Sequence, residues 1–148
     1  MKSDDLGQDA LASLPHGEEF RFLDKVSSLT PGKEGAAEYR VRGDEFFLRG
    51  HFPGDPIFPG VLMIEAAAQL AGIVAQSDPS IPPLAALKLA ALRGVKILGA
   101  ARPGDVLQFE ARVVGRMGNL IQAEAQGRVG DKILLAAQLT LSGDAPSA

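Results

Sequence analysis

The stretch GHFPGDPIFPGVLMIEAAAQLAGIVAQ, residues 50–76, joins two contrasting kinds of chain. Residues 51–60 hold a histidine, three prolines (Pro53, Pro56, Pro59) and two Pro-Gly dipeptides. Proline fixes φ and glycine permits positive φ, so this part reads as a stiff loop of defined shape without regular structure. Residues 61–75 are apolar all round except for Glu65 and Gln69. Such a run, rich in Ala, Leu and Met and following Pro59-Gly60, predicts a buried helix. At ~1.5 Å per residue it is ~22 Å long, too short to span a bilayer.

Glu65 and Gln69 are four residues apart and share one face of that helix. A carboxylate inside a buried helix is costly unless it is paired, neutralised or used. Glu65 also lies too far along to close a capping box from Gly60. His51 on the rigid loop and Glu65 on the helix have the outline of a general acid/base pair. A structural ion pair between Glu65 and Arg49 is the plain alternative.

At these residues the chain resembles the (3R)-3-hydroxyacyl-acyl carrier protein dehydratases of fatty acid synthesis, which have the hotdog fold. The shared pattern is His-Phe-Pro-Gly-x-Pro-x-x-Pro-Gly-Val, then a helix carrying Glu-Ala-x-Ala-Gln. Residues 50–72 match it nearly throughout. Weaker likeness runs from residue 14 to about 142, in LPH at 14–16, FLDKV at 22–26 and RPGD at 102–105. The family commonly has an arginine where Gly17 stands, and its closest members often have glutamine where Arg49 stands.

The remaining chain is expected to supply a sheet. Residues 1–8, short and polar, are expected to be disordered. A short helix before Pro15 follows, and His16 reads as a corner-packing residue. Residues 20–29 read as a strand with Phe20, Phe22, Asp24 and Val26 on one face. Residues 36–41 turn Ala37, Tyr39 and Val41 inward. Residues 84–98 are ambiguous: their Ala/Leu content favours a helix, whereas the resemblance implies a strand. Residues 106–114, 121–129 and 132–141 alternate, with Ile133, Leu135, Ala137, Leu139 and Leu141 inward in the last. Gly-bearing turns join them into an antiparallel meander. A tail is expected from 143 to 148. One all-apolar helix and about six strands give an α+β fold, with a curved antiparallel sheet wrapped around the helix in a single domain over residues 9–142. That is the hotdog arrangement the resemblance implies.

The chain has 148 residues, 46% hydrophobic and 22% charged, as expected of one globular domain. It has no cysteine, hence no disulfide framework or thiolate nucleophile. The absence of a signal core or membrane-length run fits the cytoplasm. A net charge of −3 and a pI near 5.3 argue against nucleic acid as a partner. The two histidines, His16 and His51, fall in no zinc-binding spacing, so no metal is expected.

Dehydration of a 3-hydroxyacyl thioester needs a base for the proton next to the carbonyl, an acid for the departing hydroxyl, and donors for the thioester oxygen. His51 suits the base. Glu65 suits the acid, since burial would keep part of it protonated. In another division of labour, His51 moves both protons and Glu65 positions a water. The backbone N–H groups of Gly60 and Val61 suit the carbonyl oxygen. Gln69 is placed to hold the Glu65 carboxyl.

Phe52, Phe58, Leu62 and Met63 are core residues or, alternatively, walls of an acyl tunnel. Lys88, Arg93, Lys96 and Arg102, in a stretch with no acidic residue, are candidates for docking an acidic acyl carrier protein. The resemblance implies that no cofactor is needed. It also implies a homodimer whose sites combine His51 of one chain with Glu65 of the other, and dimers that often assemble into hexamers. Related readings are a polyketide, aryl-polyene or coenzyme A-linked dehydratase, a hotdog thioesterase, or a non-catalytic acyl-binding subunit.

Overall fold

In chain order the computed structural model, which describes residues 3–145, forms helix α1 (Ser3–Ala12), strands β1 (Lys25–Thr30) and β2 (Glu34–Arg40), and helix α2 (Gly60–Gln76). Strands β3 (Ala85–Ile97), β4 (Val106–Met117), β5 (Leu120–Val129) and β6 (Lys132–Asp144) follow. Short 3-10 turns precede β1 (Glu18–Phe20) and α2 (Phe46–Leu48). The strands make one six-stranded sheet in the order β1-β2-β4-β5-β6-β3, antiparallel throughout. Its inner face carries Ala37, Tyr39, Leu107, Phe109, Ala111, Ile121, Ala123 and Leu139, all buried with Met63, Ala66, Ala67, Leu70, Ala71 and Val74 of α2. This is the hotdog arrangement: an antiparallel sheet rolled around one apolar helix. Among the described residues no helix is long and apolar enough to cross a membrane.

The meander follows the alternation in its sequence, and Gly118 and Gly130 take positive φ at its two turns. One detail differs. Ile133 is exposed, whereas Leu134 and Leu135 are both buried. The register slips there, with Gly127 opposite Leu135 and Arg128 opposite Ile133, so the bulge adds Leu134 to the core.

Three expectations are corrected. Ser3–Ala12 is helical rather than loose. Gly7 allows that helix to sit against β1, since a Cβ there would lie 2.7 Å from the Val26 carbonyl oxygen; residues 1 and 2 lie outside the described residues. The strand expected over 20–29 begins only at Lys25. Phe22 and Leu23 are both buried, Asp24 is exposed, and Phe20 is 48% exposed, so period-2 alternation fails before Val26. The expected tail at 143 is still strand through Asp144, while 146–148 lie outside the described residues.

The ambiguous segment 84–98 is a strand, as the resemblance implied. It lies at the sheet edge, broken by three register shifts. Positive φ at Ala86 and Gly94 bars the continuous helix that its composition favours.

Candidate active site

The loop that carries His51 is closed by its own backbone. Ile57 N–H donates to the His51 carbonyl at 3.1 Å, and His51 Nδ1 lies 3.1 Å from the Ile57 carbonyl. A carbonyl only accepts, so Nδ1 carries the hydrogen and the neutral ring presents Nε2 as its free basic nitrogen. Asp55 N–H closes a turn onto the Phe52 carbonyl, with Gly54 at positive φ, and Phe58 N–H anchors the loop to Ala101.

The approach to the loop is also tied down. Glu45 accepts from the Tyr39 hydroxyl at 2.7 Å and from the backbone N–H groups of Arg42 and Gly43. Burial pushes the Glu45 pKa up, but these hydrogen bonds outweigh it and hold the carboxyl below its ordinary value. Burial, followed by the Glu45 contact, raises the Tyr39 pKa and keeps the phenol protonated.

Glu65 sits about one and a half turns into α2. Its Oε1 lies 3.2 Å from His16 Nε2 and accepts from Gln69 Nε2 at 3.2 Å. Both contacts use Oε1. The carboxyl is not sealed in as the apolar helix led us to expect: 21% of its side chain is exposed. Nor does it pair with Arg49, which is exposed; its partners are His16 and Gln69.

Gln69 is 2% exposed and fully bonded. Its Nε2 also donates to the Phe20 carbonyl at 2.7 Å, and its Oε1 accepts from Phe22 N–H at 3.0 Å. One amide thus holds the Glu65 carboxyl and fastens residues 20–22 to α2.

His16 was read from sequence as corner packing, and it is more than that. Its ring stacks on Phe20, and Arg21 Nε donates to its carbonyl at 2.8 Å. Its Nδ1 is buried without a hydrogen-bond partner. Donation from Nε2–H to Glu65 leaves Nδ1 an unprotonated acceptor, the least costly state for a nitrogen in that position. The LPH motif quoted for the family was the available signal.

Beside Glu65 a cavity of about 670 Å³ opens along α2. The helix contributes Glu65, Ala68, Gln69, Gly72, Ile73 and Gln76, whose spacing is one continuous helical stripe. Leu84, Leu87, Leu89 and Leu141 face it. It is an apolar trough with a carboxyl at one end.

Within one chain His51 does not border this cavity, and no hydrogen bond or ion pair among the described residues joins it to Glu65. Phe52, Phe58, Leu62 and Met63, read from sequence as core or alternatively as tunnel walls, do not line the cavity. Phe58 and Met63 are fully buried, and Phe58 packs on the rings of Phe22, Tyr39 and Phe47. Phe52 is exposed and Leu62 half-buried. Gly60 opens α2 with Ile97 pressed against it, and Val61 beside it is 68% exposed.

The four basic candidates separate. Lys88 borders the cavity, and Arg102 lies 3.4 Å from Asp55 on the His51 loop. Arg93 and Lys96 lie in a groove over the solvent face of the sheet with Glu110 and Glu124.

Fold and site define a hotdog protein whose acid/base candidates stand on a proline loop and on the central helix. The chain belongs to the FabA-like family, since the family model for the FabA-like domain matches residues 14–138. The 3-hydroxyacyl-[acyl-carrier-protein] dehydratase FabZ of Pediococcus pentosaceus is 38% identical over 127 residues, which cover 86% of this chain and 85% of that protein. The dehydratase of the same name from Chloroflexus aggregans is 32% identical over 140 residues, 95% of this chain and 96% of that one.

Among solved structures, the dehydratase heterocomplex ApeI:P from Xenorhabdus doucetiae superposes with a TM-score of 0.76 at 20% identity, over 94% of this chain and 91% of the matched one. Zebra fish thioesterase superfamily member 2 gives 0.71 at 16% identity, over 96% and 98%. At these identities the two structures show the fold alone.

Proposed function

We propose that this protein dehydrates 3-hydroxyacyl chains, delivered as thioesters on acyl carrier protein, to trans-2-enoyl thioesters in fatty acid biosynthesis. The observation that carries this reading is the carboxyl of Glu65 at the head of an apolar trough, in a chain that also holds an imidazole with its Nε2 free. His51 Nε2 takes the proton from C2. The electron pair forms the C2=C3 bond as the C3–O bond breaks. Glu65 protonates the departing hydroxyl, and water leaves. The opening N–H groups of α2, at Gly60 and Val61, stabilise charge on the thioester oxygen. Gln69 and His16 hold Glu65 in position. In the cycle as written one proton is taken and one given, so no cofactor is consumed.

His51 and Glu65 act together when two chains pair, each chain lending its loop to the other's helix. Apolar Leu92 and Ile97 of β3 are exposed on the edge strand, and Leu98, Val61 and Phe52 are more than half exposed. An apolar edge of this kind is suited to pairing with another edge. Higher assembly into a hexamer belongs to the same proposal, as does the cytoplasmic location. Lys88 and Arg102 are the docking cations for an acidic carrier.

The test is an assay of the purified protein with a 3-hydroxyacyl chain on acyl carrier protein and, separately, on coenzyme A. Enoyl product that depends on Glu65, with the carrier protein preferred, is expected. Release of free thiol without enoyl product would contradict the proposal.

A further inference from the structure

Leu14-Pro15-His16 carries two carbonyls that the backbone does not satisfy. Among the described residues no backbone N–H donates to the carbonyl of Leu14 or of His16, and Pro15 has none to give. One side chain takes both. Arg21 Nε donates to the His16 carbonyl at 2.8 Å, and Arg21 Nη2 donates to the Leu14 carbonyl at 3.4 Å. Nε and Nη2 form one edge of the planar guanidinium, so the fork grips two acceptors two residues apart. The charge has no other use, since no carboxylate among the described residues pairs with Arg21. Between His16 and Arg21 the chain makes a single 3-10 turn, Glu18–Phe20, and residues 17–19 are exposed, so no core contact there fixes His16. Arg21 itself is extended, at φ −102° and ψ 121°. Gln69 brackets it, donating to the Phe20 carbonyl and accepting from Phe22 N–H.

We infer that Arg21 is a positioning residue for the reaction, closing a circuit of hydrogen bonds that holds His16 against Glu65. The circuit runs from Glu65 to Gln69 along one helix face, and from Gln69 to residues 20–22. It continues from Arg21 to residues 14–16 and returns from His16 Nε2 to Glu65 Oε1 at 3.2 Å. Members of such a network are coupled, so the loss of one link is felt along the ring. Gln69 acts on the carboxyl directly. Arg21 neither bonds to Glu65 nor lines the cavity beside it, and it acts through His16. The inference rests on the dehydratase reading above, which puts the departing hydroxyl at Glu65. Removing the guanidinium takes the backbone anchor from His16, so its ring turns away from Oε1 while α2 and Gln69 stay in place. Lysine does not replace the fork, because an ammonium is a point donor on a flexible stem.

The experiment compares Arg21→Ala and Arg21→Lys in the wild-type and the His16→Ala backgrounds, each checked for its fold by circular dichroism. It measures kcat and KM for a 3-hydroxyacyl chain on acyl carrier protein, and the ring nitrogens by NMR of protein labelled at histidine. The chain has two histidines, so the His16 signals are those lost in His16→Ala. In Arg21→Ala kcat is expected to fall about tenfold with KM within about twofold, since a loosely held reacting group loses its productive geometry. Arg21→Lys is expected to fall between Arg21→Ala and wild type, and it replaces Arg21→Ala in every comparison should that variant not fold. In the His16→Ala background the same substitution is expected to change kcat by less than about twofold, because residues that act as one unit are not additive. The His16 ring of wild type is expected to be protonated at Nε2 alone, and that of Arg21→Ala to be a mixture of tautomers. A full loss retained in the His16→Ala background, or wild-type kcat and ring signals in a folded Arg21 variant, would overturn the inference and leave the dehydratase reading standing. No turnover by wild type would overturn that reading and the positioning role with it; the ring signals, which need no substrate, tell this failure from a failure of the circuit.

Discussion

His51 is fixed by a hydrogen bond spanning six residues, whereas Gln69, which holds Glu65, is bonded to Phe20, 49 residues earlier. The loop carries its rigidity in its own prolines and short-range backbone bonds. The carboxyl depends on His16, Gln69 and the sheet-side leucines, all of which must be folded into place. Damage near the loop should therefore stay local and small, while loss of the Gln69 bonds should affect both chemistry and stability. The substitutions below test that division.

The largest effects are expected at the two reacting groups. His51→Ala and Glu65→Gln should each lower kcat by at least about 10³-fold, since each removes a proton-transfer step, while leaving the melting temperature within a few degrees of wild type. Steady-state kinetics with calorimetry checks both parts, and near wild-type turnover in either variant removes that residue from the mechanism.

Gln69→Leu comes next. It strands the Phe22 N–H and the Phe20 carbonyl and should cost roughly 2–4 kcal/mol of stability, read by urea unfolding, as well as activity. His16→Ala should separate the two: about 10- to 100-fold lower kcat with little change in KM, and His16→Gln should recover part of the loss by restoring a donor to Oε1. An equal loss in both variants would make His16 a packing residue only.

The smallest effect is expected on the loop side. Hydrogen bonds hold the Glu45 carboxyl below its ordinary value near 4.5. A group with a lowered folded pKa contributes stability that is complete above the unfolded value and lost as pH falls through the folded one. Glu45→Gln should therefore lower stability at pH 7 and flatten the loss of stability below about pH 4.5. A denaturation series from pH 7 to 3 reads it.

What could be read in the sequence follows the same division. The loop, α2, the meander and the pair His51 and Glu65 rest on local signals: proline and glycine spacing, an unbroken apolar run, and alternation. The strand expected at 20–29 was misjudged because Phe22 N–H bonds to Gln69 rather than to a strand. Phe58 and Met63 follow the core reading rather than the alternative of tunnel walls, since large apolar side chains beside a helix start pack the core first. The walls of the trough come from Ala68 and Gly72, whose small size leaves the space, and from leucines across the sheet edge. No local pattern carries that information. The contact of His16 with Glu65 is likewise long-range, and only the LPH motif at 14–16 hints that His16 does more than pack a corner.

The central claim, that the loop of one chain completes the site on another chain's helix, is tested most directly by mixing. Purified His51→Ala and Glu65→Gln, each inactive, are combined under conditions where subunit exchange is verified by mass-tagged chains. Mixed dimers carry one site with both groups intact, so activity is expected to recover to about a quarter of wild type. Verified exchange without recovery would place each complete site within a single chain and contradict the account.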